Sequence, residues 1–261
     1  ENVVIMKRRR VFIILASIIG VLILLVIINF IPKLSLANAK MSVFVGDWVN
    51  VYYEKEKEAA RDTFELADER AKELAELLGL SEKQDIRIYI YDNQKTMQSK
   101  KYGFIALALG LDWYIGDNIG TDVLLTSPAN PGKVHDYENN KNAVLHEIVH
   151  AYNHILNDNM TYWVDNGLAG YLSGQNPGDI RGYGTIPTLE QTQIKGLTAP
   201  VKFTNFNGYA YSYTYIEYLN DTYSWDSIRE FAKTGDYKAA FGADEQDIYD
   251  AWVEYLGVRH H

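Results

Sequence analysis

The chain has no cysteine among its 261 residues. That excludes a disulfide scaffold, a Cys-ligated zinc ribbon, an iron–sulfur centre and a thiol nucleophile. It also has no internal repeat and no low-complexity tract. Positive charge is scarce outside the N-terminus. Of the formal net charge of −9, residues 1–33 hold +4 (Glu1 against Lys7, Arg8, Arg9, Arg10 and Lys33), which leaves −13 on the body. An acidic body presents no basic face to a phosphate backbone, so no nucleic-acid partner is expected. What remains is an ordinary globular balance, with 47% hydrophobic and 23% charged residues, enough for one large domain or two small ones.

One apolar run is much longer than the rest. From Val11 to Ile31 there are 21 residues without a charge. As a helix they would span about 31 Å, the thickness of a hydrocarbon core. Lys7 to Arg10 precede the run, and Lys33 and Lys40 follow it, so the positive-inside rule places the N-terminus in the cytoplasm and the body outside. Two forms of this segment compete. Ala37-Asn38-Ala39 resembles a signal-peptidase site, but a cleavable apolar region runs about 7–15 residues, so the length favours a retained signal anchor. An exported chain without cysteine suits a bacterial cell membrane. Met6 before the basic cluster makes a natural start, so residues 1–5 and the terminal His260-His261 are set aside as additions.

The body begins with Met41 to Tyr53, rich in β-branched and aromatic residues, which predicts a strand or hairpin. Ala60, Phe64, Ala67, Ala71, Leu74 and Leu78 recur at helical spacing and predict one amphipathic helix over about 54–78. Ile86 to Tyr91 alternates as a strand. Residues 93–102 suit a short helix, and the glycine-bearing stretch 103–120 suits irregular or edge structure. Val123 to Thr126 suits another short strand, ended by Pro128 and Pro131. Helical periodicity returns over about 140–157, and a further helix is expected near Asp165. Residues 174–208 are loop-rich, and the last 50 residues read as helices broken at Gly235 and Gly242. Strands mixed with helices, then mostly helices, give an α+β class.

His146-Glu147-Ile148-Val149-His150 is an H-E-x-x-H sequence within a helical pattern. Histidines four apart lie one turn apart on one face, so both imidazoles can reach one Zn²⁺ at about 2.0–2.1 Å. Glu147 is offset around the helix, where it can take a proton from water. Zinc needs a third protein ligand. His154 sits about 12 Å along the helix from His146, too far to share the ion, and reads as a surface residue. His135 has no motif context and reads as a solvated loop residue.

Downstream stands Tyr162-Trp163-Val164-Asp165-Asn166-Gly167-Leu168-Ala169-Gly170-Tyr171. This segment resembles the W-x-x-E-G-x-A-x-Y signature of the gluzincin zinc peptidases, specifically the peptidase MA-like group related to thermolysin and the aminopeptidase-N family. Ile186-Pro187-Thr188-Leu189 resembles that group's I-P-S-L segment, and Tyr209-Ala210-Tyr211-Ser212 its Y-A-x-S helix start. Phe241-Gly242 through Trp252-Val253-Glu254-Tyr255-Leu256 resembles its F-G-x(n)-W-x-x-Y-L ending. The similarity covers about residues 41–256.

The resemblance implies a thermolysin-like zincin domain behind the transmembrane helix, with a small mixed sheet, an H-E-x-x-H helix and a mostly helical C-terminal lobe. The expected segments are 1–10 cytoplasmic, 11–32 membrane anchor, 33–40 linker, 41–157 α+β lobe and 158–259 helical lobe. The family's third zinc ligand is a Glu before the glycine; here that position is Asn166. Asn166, the adjacent Asp165 and a vacant position stay open as the third site. The resemblance also implies a tyrosine that donates to the oxyanion. Tyr209 matches best, with Tyr211 and Tyr213 as rivals. Their alternation by itself would predict a strand. It further implies that the strand near Val123–Thr126 pairs with an extended peptide. The expected activity is hydrolysis of a peptide or protein substrate, with Glu147 as general base. The alternative is an extracellular binding module on a weakened peptidase fold, motivated by Asn166.

Overall fold

Five short strands, β1 (Ser42–Val45), β2 (Val49–Tyr53), β3 (Ile86–Tyr91), β4 (Gly116–Ile119) and β5 (Asp122–Thr126), form one mixed sheet in the order β1-β2-β3-β5-β4. The computed structural model describes residues 2–196 and 198–259; Glu1, Leu197, His260 and His261 lie outside them. β1 and β4 run antiparallel to their neighbours, while β2, β3 and β5 are parallel. Eleven α-helices accompany the sheet among the described residues: α1 (Asn2–Asn29), α2 (Lys57–Leu77), α3 (Gln94–Tyr102), α4 (Tyr137–Leu156), α5 (Tyr162–Leu172), α6 (Leu189–Thr192), α7 (Ala199–Asn205), α8 (Gly208–Thr222), α9 (Trp225–Thr234), α10 (Tyr237–Phe241) and α11 (Glu245–Arg259). The class is α+β.

Side-chain alternation sets the layers. Ile86, Ile88 and Ile90 of β3 and Val123 and Leu125 of β5 face the main core, with Ala67, Ala71 and Leu74 of α2 and Val144 and Ile148 of α4. Tyr89, Tyr91 and Leu124 point the other way, into a smaller cluster with Met97 and Tyr114. Both faces of the central strands are therefore buried, as parallel strands require. The main core does not stop at residue 157. Trp163 and Leu168 of α5, Ile216 of α8 and Trp252 of α11 belong to the same cluster, so the two lobes share one interior.

One expectation changes. β5 was expected to border the cleft, but it is internal, paired with β3 on one side and β4 on the other. Its Val123-Leu124-Leu125 run is fully buried, whereas the polar Gly116-Asp117-Asn118 of β4 suits a half-exposed edge. Residues 209–215 lie in a helix, α8, as the resemblance to a helix start implied; tyrosines on several sides of it are buried by packing elements, which is why their alternation alone misleads.

The segment 33–40, expected as a linker, is hydrogen-bonded to the body at Ser35, Leu36 and Asn38. Lys100 Nζ donates to the Ser35 carbonyl at 2.7 Å, Tyr91 Oη to the Leu36 carbonyl at 2.8 Å, and Asn38 Nδ2 to Glu54 Oε1 at 2.8 Å. Leu36 and Ala37 pack against the Tyr89–Tyr91 cluster. Upstream, Arg8–Asn29 of α1 has a mean hydropathy of 3.5 with none of its window buried against protein. It is long and apolar enough to cross a membrane.

Candidate active site

The H-E-x-x-H residues sit in α4, whose start is fixed by a reciprocal cap. The Asp136 side chain accepts from Asn139 N at 2.8 Å while the Asn139 side chain accepts from Asp136 N. The apolar face of α4 (Val144, Leu145, Ile148, Val149 and Tyr152) is buried, which turns His146, Glu147 and His150 toward a cleft of roughly 990 Å³. The two imidazoles lie edge to face, with ring centroids 4.7 Å apart.

Helix α5 supplies the partners of both rings. It is capped by Thr161, whose hydroxyl accepts from Val164 N at 3.3 Å. Asp165 Oδ1 lies 2.8 Å from His150 Nδ1. The ring N–H is not aligned with that oxygen, so the contact is one of charge more than a formed hydrogen bond. Asn153 of α4 donates to the same Asp165 oxygen at 2.8 Å and holds the carboxylate in place. Asn166 is buried beside His146, and its amide donates to the Tyr162 carbonyl at 2.8 Å, which leaves its oxygen for the cleft side. Thus Asp165 meets one histidine and Asn166 the other. Close approach of α5 to α8 makes this possible: a Cβ at Gly167 would meet the Ser212 carbonyl oxygen at 2.6 Å.

Electrostatics separate the two histidines. Burial, then the charge of His150, pushes His146 down to about 3 and keeps it neutral, the form that ligates metal. Burial alone would lower His150 too; the Asp165 carboxylate outweighs it and holds the pKa up at about 9. Burial pushes Glu147 up to about 8, against the pull of His150.

Glu147 faces the edge strand. A Cβ on Gly116 would meet its Oε1 at 2.7 Å, so β4 approaches this carboxyl as closely as it does only because residue 116 has no side chain. The next residue, Asp117, pairs with Lys101 Nζ at 2.6 Å, and that ammonium also donates to the Asn118 carbonyl at 2.6 Å. Across the cleft, Tyr209 opens α8, and its hydroxyl is 3.2 Å from that of Tyr162. Burial raises Tyr209 to about 12, so its proton stays in place for donation. Tyr211 instead donates to the Gly184 carbonyl at 3.0 Å, and neither it nor Tyr213 lines the cleft.

All six of His146, Glu147, His150, Asp165, Asn166 and Tyr209 therefore line one cleft. His154 is exposed beside Gly120, away from it. His135, expected as a solvated loop residue, is a half-buried wall of the cleft with Nε2 2.8 Å from the Trp113 carbonyl. Sequence reasoning missed Gly116, Lys101, Asp117 and Gln175, which stands near His146. Tyr162 had a signal, since it opens the segment that resembles the peptidase signature.

Among the described residues no three His, Asp or Glu side chains form a metal-binding group. The donors still fit zinc in kind. Nδ1 of His146 is buried without a geometrically formed hydrogen bond, the neutral Asn166 amide lies beside that ring, and His150, whose Nδ1 is on Asp165, keeps its other ring nitrogen as a donor. No family model, no curated protein and no solved structure matches the chain.

Proposed function

We propose that the chain is a membrane-anchored, extracytoplasmic zinc-dependent peptidase with a thermolysin-like zincin fold. The observation that carries this reading is the meeting of His146, Glu147 and His150 with a free sheet edge and a tyrosine in one cleft. His146, His150 and the Asn166 oxygen would hold Zn²⁺, with Asp165 orienting His150 from behind. Zinc bound there supplies a positive charge that polarises a carbonyl and acidifies water.

The protein's own groups do the rest. An extended peptide pairs with the free edge of β4, which orients its scissile bond along the cleft. Glu147 accepts a proton from the attacking water and returns it to the leaving amine. Tyr209 donates to the oxygen on which negative charge develops. Lys101 neutralises Asp117 and keeps a second free carboxylate away from Glu147. The basic cluster before the apolar helix supports placing the body outside the cytoplasm, on a bacterial cell membrane.

The test is Glu147→Gln in the full chain, assayed on an unstructured protein substrate with zinc content measured alongside. Zinc should stay stoichiometric and hydrolysis should fall by about 10²–10⁴-fold. A wild-type protein that takes up no zinc when supplied, and cleaves nothing, overturns the reading. A second reading, a peptide-binding module, is favoured by Asn166, an uncharged residue where the family carries a carboxylate. Peptide binding without cleavage, unchanged in Glu147→Gln, would select it.

A further inference from the structure

The end of the apolar helix is fastened to an apolar loop of the body. Asn29 closes α1, and its side chain donates to the Tyr102 carbonyl at 3.2 Å and accepts from Ile105 N at 2.8 Å. The loop backbone lies so close that a Cβ at Gly103 would collide with the Asn29 carbonyl. Ile105 is therefore held at the same height as the last residue of the span. From there the chain turns through Phe104–Leu107 as a short 3-10 helix.

That helix shows its apolar side chains to the outside. Ile105 is 58% and Leu107 54% exposed, Phe104 and Leu109 are also exposed, and Leu34, five residues after the end of α1, is 84% exposed. The loop backbone is tied down meanwhile: Lys95 Nζ donates to the Ala106 and Leu109 carbonyls, and Ala106 is buried. The side chains are thus presented from a fixed frame. Scattered exposed leucines need no explanation, but several exposed apolar side chains gathered at the end of a helix long and apolar enough to cross a membrane do.

We propose that Phe104–Leu109, with Leu34, docks into the lipid bilayer that α1 crosses, and so fixes the cleft at the membrane surface. This rests on the membrane-anchor reading. If α1 spans the bilayer to Asn29, the bonds to Tyr102 and Ile105 bring the strip to the level where the hydrocarbon ends. The segment 33–40 restricts retreat, because Ser35, Leu36 and Asn38 are hydrogen-bonded to the body. Burying these side chains in the interface removes apolar surface from water, which favours the docked state. Tyr102 and Trp113 flank the strip as amphipathic aromatics suited to the headgroup level.

The consequence concerns substrate. Lys101, Tyr102, Trp113 and Tyr114 line the cleft. The strip that enters the lipid is thus continuous with the cleft wall. Peptide segments at the bilayer surface, such as the stretch just outside a membrane span, meet the cleft without leaving the interface.

The chain's lack of cysteine makes a direct test possible. Single variants Ile19→Cys, Ile105→Cys, Leu107→Cys and Glu230→Cys of the full chain carry a fluorescent label in phosphatidylcholine–phosphatidylglycerol vesicles. Quenching is read with lipids brominated on the upper acyl chain and with aqueous iodide. Labels at 105 and 107 should be quenched by bromolipid severalfold more than the label at 230, and less by iodide. If 19 is lipid-quenched while 105 and 107 behave like 230, docking is wrong and the anchor stands. If 19 is also quenched only by iodide, the anchor reading fails and takes the docking with it. If 105 and 107 are shielded from both quenchers, protein covers the strip, from a second copy or another chain, and the lipid proposal is overturned.

Discussion

Asp165 Oδ1 stands 2.8 Å from His150 Nδ1, joining α5 to α4 behind the face that His150 turns to the cleft. The carboxylate is itself held by Asn153 at 2.8 Å. A carboxylate placed behind an imidazole fixes the ring's orientation and raises its basicity as a ligand. Asp165→Asn keeps the shape and removes the charge. Zinc affinity, measured by chelator competition, should fall about 10–100-fold with the fold retained. Complete loss of binding would make Asp165 a ligand, and no change would remove it from the site.

Asn166 gives the opposite result. Its side chain lies against His146, where the family resemblance places a carboxylate. Asn166→Glu should raise zinc affinity, and peptide hydrolysis should rise with it. Unchanged affinity in a folded variant would mean that residue 166 does not face the metal.

Gly116 tests the approach of the edge strand. Its φ is not positive, so alanine is allowed by the backbone; the obstacle is Glu147, 2.7 Å from the added Cβ. Gly116→Ala should displace the carboxyl by a fraction of an ångström to an ångström and cost roughly 100-fold in hydrolysis. Zinc content and melting temperature should stay close to wild type. Full activity would show that Glu147 has room to move.

The Lys101–Asp117 pair predicts an alkaline effect. Burial lowers the Lys101 pKa, but Asp117 at 2.6 Å outweighs it, so the folded value lies above the ordinary lysine value of 10.5. A raised pKa means stability that is fully present below the unfolded value and lost as pH rises through the folded one. Lys101→Met should therefore cost about 1–3 kcal/mol at neutral pH. The gap to wild type in melting experiments should shrink above pH ~10.4. A gap that stays constant to higher pH would show that packing, not charge, carries the difference.

Topology is checked in cells that express the full chain. Protease added to intact cells should digest residues 40–259 while an epitope at the N-terminus stays protected. Protection of the body would reverse the orientation drawn from Lys7 to Arg10.

Two features of this protein were legible in sequence because they are local. The apolar run at 11–31 declares a helix long and apolar enough to cross a membrane by length and composition alone. The two histidines declare a shared helix face because they are four residues, about one turn, apart. Structure was needed wherever the deciding contact came from far along the chain. The order of strands, and hence which edge is free, depends on pairing between residues 30 or more positions apart, as between Arg87 and Asp122. The division of labour between Asp165 and Asn166 depends on the angle at which α5 meets α4. Gly116 gained its meaning only when Glu147 was brought against it. The docking of 33–40 follows from Tyr91 and Lys100, whose hydrogen bonds to that segment no periodicity announces. Periodicity reports how a segment faces its own surroundings; tertiary packing alone decides what those surroundings are.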